Sequence, residues 1–312
     1  MKNKSALVIG ASGMVGTALM KVLGRSKKYF LIKGVDIETD MTIKSNTEII
    51  KDYDHIYHLA GKKGSPQTAR ERPADYLPML QFDANIIEAV GKYKPEWFLY
   101  TSSIGVYPPM EVYEEDKVWH EVPSENDKIP GYIKRMGELG CYAIRATYGY
   151  ENISIVRPAN IYGPYDNFDP ENAMVIPSLI RKGYENDILE VWGDGSPIRD
   201  FIHCKDVANG MLHLVKNGVT DPVNLGSGSG ITIKQIADVV SKRFDKEIVW
   251  LKNKPMGDKR RVFNVDRAKC LGFNAQVNLE DGLKKWEGTN KDIFNTENEA
   301  VTNFVYSSEL FK

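Results

Sequence analysis

Three glycines near the start of the chain are spaced so that they could bind phosphate. Gly10, Gly13 and Gly16 form the pattern G-x-x-G-x-x-G directly after the apolar run 6–9. The first can take a tight turn, the second lets the backbone approach a pyrophosphate, and the third lets a helix lie close to a strand. Apolar residues at helical spacing follow, so the phosphates would meet the positive N-terminus of a helix. The segment therefore predicts a dinucleotide-binding strand–turn–helix unit.

An acidic residue follows at the spacing expected for ribose recognition. Asp36 ends the second apolar segment, YFLIKGVD, twenty residues past Gly16. A carboxylate here can bind both hydroxyls of an adenosine ribose and would repel a 2′-phosphate, which favours NAD over NADP. Glu38 is an alternative for the same role. Asp40 and Met41 follow, and we expect them beside the adenine at the end of the next strand.

The elements that must position these residues alternate between strands and helices. Three further apolar segments are strand-sized, at 55–61, 97–103 and 153–159. Helical stretches separate them, including one that carries Phe82 and Ile86 on a single face. This alternation, with strands buried on both faces, predicts an α/β fold built on a Rossmann-type, doubly wound parallel sheet.

Composition excludes several classes of protein. The 312 residues include 41 basic and 42 acidic side chains, so nothing favours nucleic acid as a partner. The longest apolar runs are strand-sized, and we expect no membrane span. The N-terminal apolar run is too short for a signal peptide, so we expect a cytoplasmic protein. Cys141, Cys204 and Cys270 are odd in number and widely spaced, so neither disulfides nor a metal site are expected.

Eight motifs follow one another along nearly the whole chain. They are GASGMVG (10–16), HLAG (58–61), TSSIGVYP (101–108), KRMGE (134–138), RPANIYGPYDNFDPENAMVIPSLIRK (157–182), VWGDGSPIRDFIHCKDVA (191–208), VNLGSG (223–228) and GDKRRVFNVDRAKCLGF (257–273). In this order they resemble the extended short-chain dehydrogenase/reductases, in the sugar-nucleotide epimerase/dehydratase group. The stretch 160–182 is most similar to the GDP-fucose synthase branch. The resemblance implies an NAD-dependent enzyme and a nucleotide-sugar substrate, with GDP the favoured nucleotide.

The resemblance also implies how the chain divides. The parts are a Rossmann domain for NAD (1–159 plus about 202–222), a smaller C-terminal substrate-binding α/β domain (about 160–201 plus 223–288) and a tail (289–312). A homodimer is implied as well, formed through a bundle of the helices at 82–92 and 134–148.

In the resembled enzymes a hydride moves between the cofactor and a sugar carbon, usually C4, while the protein handles the hydroxyl proton. Ser103 matches the hydroxyl that hydrogen-bonds the reacting oxygen. Lys134 matches the lysine that holds the nicotinamide ribose and lowers the pKa of a neighbouring tyrosine. Glu138, one turn later, is expected to be structural. Further matched cofactor contacts are Met14, Val15, Leu59, Ala60 and Gly61.

Polar residues also match positions that grip the sugar nucleotide in this family. Asn160 ends a buried strand, where ligands of α/β sheets gather, and it is assigned to the sugar or the diphosphate. Arg199 and Arg260 match residues that clamp the diphosphate, where a guanidinium fork suits phosphate oxygens. Arg261 is an alternative to Arg260, and His203 is expected to be a packing residue.

The tyrosine that should act as the base is out of place. It should lie one helical turn before Lys134, so that both side chains share a face, but that position holds Pro130. Tyr132 is two residues before Lys134, and in a regular helix their side chains would point about 200° apart. Because Pro130 and the glycine after it resist helix, we expect the helix to start at Tyr132 or just after it. Tyr132 could then swing back towards the site. The alternatives are Tyr107 or an ordered water, with Ser103 assisting, or no base.

Two sets of catalytic residues found in the resembled enzymes are missing here, which reduces the number of possible reactions. GDP-fucose synthases use a cysteine and a histidine to epimerise C3 and C5, but here SSIGVYP has no cysteine and Met174 takes the histidine's place. The 4,6-dehydratases place an Asp-Glu pair after the active-site hydroxyl residue, where this chain has Ile104 and Gly105. The remaining reactions are 4-epimerisation and oxidation or reduction at C4. Two alternatives stay open, a catalytically idle NAD-binding member with a regulatory role and a dehydratase.

Overall fold

A six-stranded parallel sheet is the centre of the computed structural model, which describes residues 4–254 and 256–284. The strands are β1 (Lys4–Ile9), β2 (Tyr29–Val35), β3 (His55–His58), β4 (Trp97–Thr101), β5 (Val112–Tyr113), β6 (Ile153–Pro158), β7 (Asn160–Tyr162), β8 (Ile188–Trp192), β9 (Ile198–His203), β10 (Val223–Leu225), β11 (Gly230–Thr232), β12 (Glu247–Leu251) and β13 (Arg260–Phe263). The α-helices are α1 (Met14–Gly24), α2 (Pro66–Glu71), α3 (Leu77–Tyr93), α4 (Lys128–Tyr148), α5 (Val175–Glu185), α6 (Cys204–Lys216), α7 (Ile233–Phe244), α8 (Asp266–Cys270) and α9 (Leu279–Lys284). The large sheet has the order β10-β6-β4-β3-β1-β2, and every neighbouring pair is parallel.

Helices cover both faces of this sheet. Ala6 and Val8 of β1 pack into the core that α1 and α6 close, whereas Leu7 and Ile9 pack into the core that α3 and α4 close. Because side chains alternate along a strand and both faces are buried, β1 reads as a continuous apolar run in the sequence. The doubly wound, Rossmann-type fold predicted from the sequence is confirmed.

A smaller part of the chain is built around β9. Its mixed sheet has the order β11-β9-β13-β5, with β7 also pairing with β9, and β8 pairs with β12 in a separate ribbon. Helices α5 and α7 close a third core against these strands. Apart from β5, which precedes β6, its strands and helices come after β6 in the chain.

The division of the chain differs in detail from the one expected. The segment that returns to the large sheet includes α6, which packs on α1, and continues through β10, which pairs with β6. The sequence placed the end of this returning segment near residue 222, but the segment extends through β10 to Leu225. The tail at 289–312 lies outside the described residues. Among those that are described, no helix combines the length and apolar character needed to cross a membrane.

Candidate active site

The glycine-rich turn between β1 and α1 is shaped by close contacts that exclude side chains. Gly10 has a φ of +88°, and a Cβ atom on it would lie 2.7 Å from the backbone nitrogen of Ala60. A Cβ atom on Gly16 would overlap the carbonyl oxygen of Gly10. Only glycine at these two positions therefore lets α1 and the end of β3 approach the turn so closely.

The start of α1 offers free backbone donors beside this turn. A Cβ atom on Gly13 would come no closer than 3.5 Å to the rest of the protein. The protein's own packing therefore does not require glycine here, and the missing side chain leaves space for a ligand. The helix begins at Met14 and has no acidic residue in its first turn. The first amide groups, including those of Met14 and Val15, have no partners inside the helix and lie at its positive end. The turn fits a pyrophosphate.

Asp36 lies beside the turn at the carboxyl end of β2. Its Oδ2 accepts a hydrogen bond from the backbone N–H of Ser12 at 2.7 Å. The Oε1 of Glu38 accepts instead from the backbone N–H of Asp36 at 3.0 Å, so Asp36 is the acid that contacts the turn. The segments 10–16 and 36–42 contain no lysine or arginine. These residues fit an unphosphorylated ribose better than a 2′-phosphate.

Asp40 and Met41 do not lie where the sequence predicted. They belong to the loop after β2, and a 3₁₀ helix at 44–52, not a strand, follows them. Asp40 Oδ1 accepts from the hydroxyl and the backbone N–H of Thr42 at 2.7 and 2.9 Å, and these bonds lower the pKa of Asp40. Met41 is buried in the core beneath α3. The prediction of a strand end was wrong because the chain between β2 and β3 forms this 3₁₀ helix, which packs against α3.

The carboxyl end of β3 links the glycine-rich turn to Lys134. The backbone N–H of Leu59 donates to the last residue of β1 at 2.8 Å, and Ala60 packs against Gly10. A Cβ atom on Gly61 would lie 3.9 Å from Nζ of Lys134. A ligand that runs along these three residues would reach from the pyrophosphate turn to the ammonium group.

A buried carboxylate that the sequence analysis missed lies beneath Lys134. Asp83 of α3 is 2% exposed, and its Oδ2 is 3.5 Å from Nζ of Lys134. The Nε2–H of His58 and the hydroxyl of Tyr100 donate to its two oxygens, each at 2.6 Å. Burial opposes the charge, but Lys134 and these two bonds hold the pKa of Asp83 below its usual value. The sequence carried one signal, a carboxylate on the apolar face of α3.

Ser103 lies at the carboxyl end of β4, next to the start of α4. Its Oγ accepts from the backbone N–H of Gly105 at 3.0 Å, and the side chain is half-buried. A Cβ atom on Gly131 would overlap the carbonyl oxygen of Gly105, so the first turn of α4 packs directly on this loop. Since β4 neighbours β3, the hydroxyl of Ser103 and the ammonium of Lys134 lie at adjacent strand ends.

The preferred base, Tyr132, does not reach this site. Helix α4 begins at Lys128, so Pro130 and Tyr132 are both helical. Lys134 is buried, whereas Tyr132 is 38% exposed and lies 6.0 Å from the guanidinium of Arg135. The prediction that the helix starts at Tyr132 was wrong. Proline is tolerated in a first turn, where the backbone N–H has no intrahelical partner.

The alternative base, Tyr107, is committed elsewhere. Its hydroxyl donates to Oδ1 of Asn224 at 2.6 Å and accepts from Nη1 of Arg157 at 3.1 Å. Burial raises the pKa of Tyr107, although the charge of Arg157 opposes that shift. A fully buried, doubly bonded phenol of this kind cannot exchange a proton with a ligand. Of the four alternatives, an ordered water beside Ser103 and the absence of a base remain.

Two arginines lie side by side, but they are not the expected pair. Arg199 of β9 is opposite Arg261 of β13 in parallel register, so their side chains share a face. Arg261 pairs with Asp127, the residue before α4, at 2.5 Å. Alternation along β13 turns Arg260 to the other face, where its Nε donates to the carbonyl of Glu111 at 3.2 Å. Of the two arginines that the sequence offered for the diphosphate, Arg261 therefore stands beside Arg199, and Arg260 does not.

The charge of Arg199 is incompletely balanced. Burial and the nearby charge of Arg261 lower the pKa of Arg199, although Asp258 opposes the shift. The Nη1 of Arg199 donates to the carbonyl of Ile198 at 2.9 Å. An anion bound next to Arg199 would relieve this repulsion, which is what a diphosphate would supply.

Asn160 is held next to the strand that carries Arg199. It opens β7, and its Nδ2 donates to the carbonyl of Asp200 at 2.8 Å. The buried carboxylate of Asp200 accepts in turn from the backbone N–H of Ser227 at 2.9 Å. His203 is buried, and its Nδ1 accepts from the N–H of Lys205 to cap α6. Asn160 therefore lies at the carboxyl end of the large sheet, on the side of the smaller part.

Two loops are joined by polar contacts. Lys63, in the loop after β3, pairs with Asp166, in the loop after β7, at 2.6 Å. Asn172 Oδ1 accepts from the backbone N–H of Ser65 at 2.9 Å. These contacts join the loop after β3 to the loop after β7.

The described residues contain no cluster of three side chains able to hold a metal ion.

Comparison with known proteins gives a match to a family model, the NAD dependent epimerase/dehydratase family, over residues 6–226. GDP-L-fucose synthase 1 of Arabidopsis thaliana is 30% identical over 302 residues, which cover 91% of this chain and 93% of that protein.

Solved structures share the fold at lower identity. A GDP-6-OMe-4-keto-L-xylo-heptose reductase from C. jejuni has a TM-score of 0.83 and 20% identity, covering 91% of this chain and 97% of that one. A GDP-mannoheptose C4 reductase from Campylobacter jejuni with NADP bound has a TM-score of 0.80 and 20% identity, with the same coverage of each chain.

Proposed function

The chain belongs to the NAD-dependent epimerase/dehydratase family, and from that membership we propose that it is an enzyme acting on a nucleotide-sugar. It transfers a hydride to or from C4 of the sugar, as a 4-epimerase or as a 4-dehydrogenase or reductase. The observation that supports it most is that Ser103 follows β4, while Nζ of Lys134 lies near Gly61 at the end of the neighbouring strand β3. Ala60, next to Gly61, packs against the glycine-rich turn.

NAD is the proposed cofactor, and its fit to the site rests on three features. The turn at Gly10 and Gly16 leaves no room for side chains, and α1 presents unpaired amides beside it. Asp36 supplies a carboxylate for the adenosine ribose, with no cation nearby in 36–42 to neutralise a 2′-phosphate. Lys134 offers donors to the nicotinamide ribose. When bound, NAD supplies the hydride acceptor or donor.

GDP is the favoured nucleotide, because the similar Arabidopsis protein is named for a GDP-sugar. In this proposal Arg199 and Arg261 grip the diphosphate, and Asn160 contacts the sugar or the phosphates. Arg261 must then loosen its ion pair with Asp127, or bridge that carboxylate and a phosphate at once. Arg260, which faces away, has no part in this grip.

Ser103 orients the reacting hydroxyl, and the proton passes to water. Pro130 has no group that can take the proton, and both Tyr132 and Tyr107 are held elsewhere. A serine hydroxyl both donates and accepts, so Ser103 can hydrogen-bond the alcohol and the ketone forms equally. The positive charge of Lys134 favours an alkoxide-like oxygen in its vicinity.

Other chemistry of the family is disfavoured by the residues present. Met174 precedes α5 where a histidine would be needed for epimerisation at C3 and C5, and a thioether carries no transferable proton. Ile104 and Gly105 are buried after Ser103, where a dehydratase needs two acids. Pro130 favours a second candidate function, an idle NAD-binding protein with a regulatory role.

A homodimer through α3 and α4 is part of the proposal. Leu80 of α3 and Met136 and Leu139 of α4 are exposed apolar side chains on these helices. Ile144 of α4 is instead buried in the protein's own core. Analytical ultracentrifugation tests the dimer, and a Met136→Glu/Leu139→Glu variant should sediment as a monomer.

The decisive experiment mixes the purified protein with NAD or NADP and a panel of GDP- and UDP-sugars. We expect altered sugar, or reduced nicotinamide, with NAD and a GDP-sugar. The matched control is Lys134→Met, which should abolish the signal. Cofactor binding with no change in any sugar would favour the idle alternative, and a preference for NADP would contradict the role given to Asp36.

A further inference from the structure

Asp83 is a buried carboxylate with a complete set of partners from three elements. His58 from β3 and Tyr100 from β4 each donate to it at 2.6 Å, and the ammonium of Lys134 from α4 lies 3.5 Å away. Burying a carboxylate costs free energy that an apolar residue would not, and α3 otherwise turns an apolar face to this core. Packing alone therefore gives no reason for an acid at this position.

The neighbouring backbone makes room for this arrangement. A Cβ atom on Gly137 would overlap the hydroxyl of Tyr100, so α4 lacks a side chain where that hydroxyl passes to reach Asp83. Burial raises the pKa of Tyr100 far above its usual value and lowers the pKa of His58. Tyr100 thus stays a donor, and neutral His58 donates through Nε2. Asp83 remains the negative group opposite Lys134.

Asp83 is the carboxylate that pairs with Lys134. Within residues 4–254 and 256–284, Asp83 supplies the only carboxylate oxygen within 4 Å of its Nζ. The ammonium also lies 4.9 Å from the centre of the Tyr100 ring, whose face attracts a cation. Both contacts come from the sheet and α3, and the ammonium also lies near Gly61, where an added Cβ atom would be 3.9 Å from Nζ.

We propose that Asp83 is a positioning residue that anchors Lys134 for binding the nicotinamide ribose. An ammonium group has three N–H donors. The ion pair with Asp83, at 3.5 Å, occupies one side of the ammonium, which leaves two N–H groups for the two hydroxyls of a ribose. This inference rests on the proposed function, because it gives Lys134 the ribose as its ligand.

The test separates a local effect on the ribose from general damage by comparing two ligands. NADH contains the nicotinamide ribose, whereas ADP shares only the adenosine half and its phosphates. Asp83→Asn keeps the size of the side chain and one of its two acceptor oxygens but removes the charge. We expect it to weaken NADH about tenfold, equivalent to about 1.4 kcal/mol, and to leave the affinity for ADP unchanged. Fluorescence titration and calorimetry measure the two constants.

Lys134→Met completes a double-mutant cycle with Asp83→Asn. It should weaken NADH by a similar factor, and the Asp83→Asn/Lys134→Met double variant should bind NADH no more weakly than Lys134→Met alone. Asp206→Asn is the matched control, because Asp206 is buried in α6 and accepts from the N–H groups of Gln276 and Val277 away from this site. Its affinities for both ligands should equal those of the wild type.

Several outcomes overturn the inference. Equal weakening of ADP and NADH by Asp83→Asn would make Asp83 merely structural, and full additivity with Lys134→Met would break the link between the two. If Asp83→Asn fails to fold, Asp83→Glu keeps the charge but displaces it by one carbon, and unchanged NADH affinity would then refute positioning. Unchanged NADH affinity in Lys134→Met would instead refute the role of Lys134 in the proposed function.

Discussion

Tyr132 and Lys134 leave the same helix in different directions. Lys134 is buried between Asp83 and the end of β3, and Tyr132 is exposed beside Arg135. Two residues apart in a helix means a rotation of about 200°, so no local adjustment can bring both side chains to one ligand. We therefore expect Lys134 to act without Tyr132.

Replacing Tyr132 should leave catalysis unchanged. We expect Tyr132→Phe to retain the wild-type kcat, because its hydroxyl lies outside the site, while Lys134→Met loses activity. Steady-state turnover with the nucleotide-sugar identified by the substrate panel measures both. A loss of about 10²-fold or more in Tyr132→Phe, as expected for removal of an acid–base group, would restore it as the base.

Two glycines of α1, Gly16 beside the glycine-rich turn and Gly24 at the far end of the helix, offer a matched pair of substitutions. Gly16→Ala should weaken NADH about tenfold or more, because the added carbon overlaps the carbonyl oxygen of Gly10 and forces α1 away from the turn. Gly24→Ala, at the other end of α1, meets no atom within 4 Å and should bind as the wild type does. Equal affinities in a fluorescence titration of both variants would refute the placement of the cofactor phosphates.

Glu138 and Arg157 form a buried ion pair whose loss should be costly. Arg157 donates through Nε and Nη2 to the two oxygens of Glu138 at 2.9 and 2.7 Å, and both side chains are buried. Glu138→Gln leaves a buried guanidinium unpaired, so we expect the free energy of unfolding to fall by about 3–5 kcal/mol.

Urea unfolding measures this change, with an exposed ion pair as the comparison. Glu88→Gln removes the partner of Lys44 on the surface and should cost at most about 1 kcal/mol. Similar losses in the two variants would show that burial does not set the contribution of the Glu138–Arg157 pair.

His55 should make the protein less stable as the solution becomes acidic. Burial, together with the charge of Lys28, lowers the pKa of His55 to about 4, and its Nδ1 lies 2.8 Å from the hydroxyl of Tyr29. The unfolded chain binds the proton near pH 6.5, so between about pH 6.5 and 4 the unfolded state carries more protons. Stability then falls with decreasing pH, by at most about 1.4 kcal/mol per pH unit from this residue.

The slope of unfolding free energy against pH is the measurement. His55→Gln should flatten it between pH 6.5 and 4, whereas His120→Gln, at an exposed position, should leave it unchanged. A slope that is the same in all three proteins would assign the acid sensitivity to other groups.

The sequence by itself determined the doubly wound sheet and the glycine-rich turn. Both follow from local patterns. A strand buried on both faces is apolar throughout, and the turn needs glycine at Gly10, which Ala60 approaches, and at Gly16, which packs on the carbonyl oxygen of Gly10. The same short-range reasoning placed Ser103 at a strand end, whereas Lys134 was assigned to a helix by the resemblance to the family.

Tertiary structure alone decided which side chains meet. Whether Arg260 or Arg261 stands next to Arg199 depends on the register between β13 and β9, which are separated by more than fifty residues of chain. The role of Asp83 can be inferred only from the tertiary structure, in which α3, β3, β4 and α4 bring four polar groups together. Pairings of this kind are set by the packing of distant elements, and no local pattern encodes a neighbour that arrives from elsewhere in the chain.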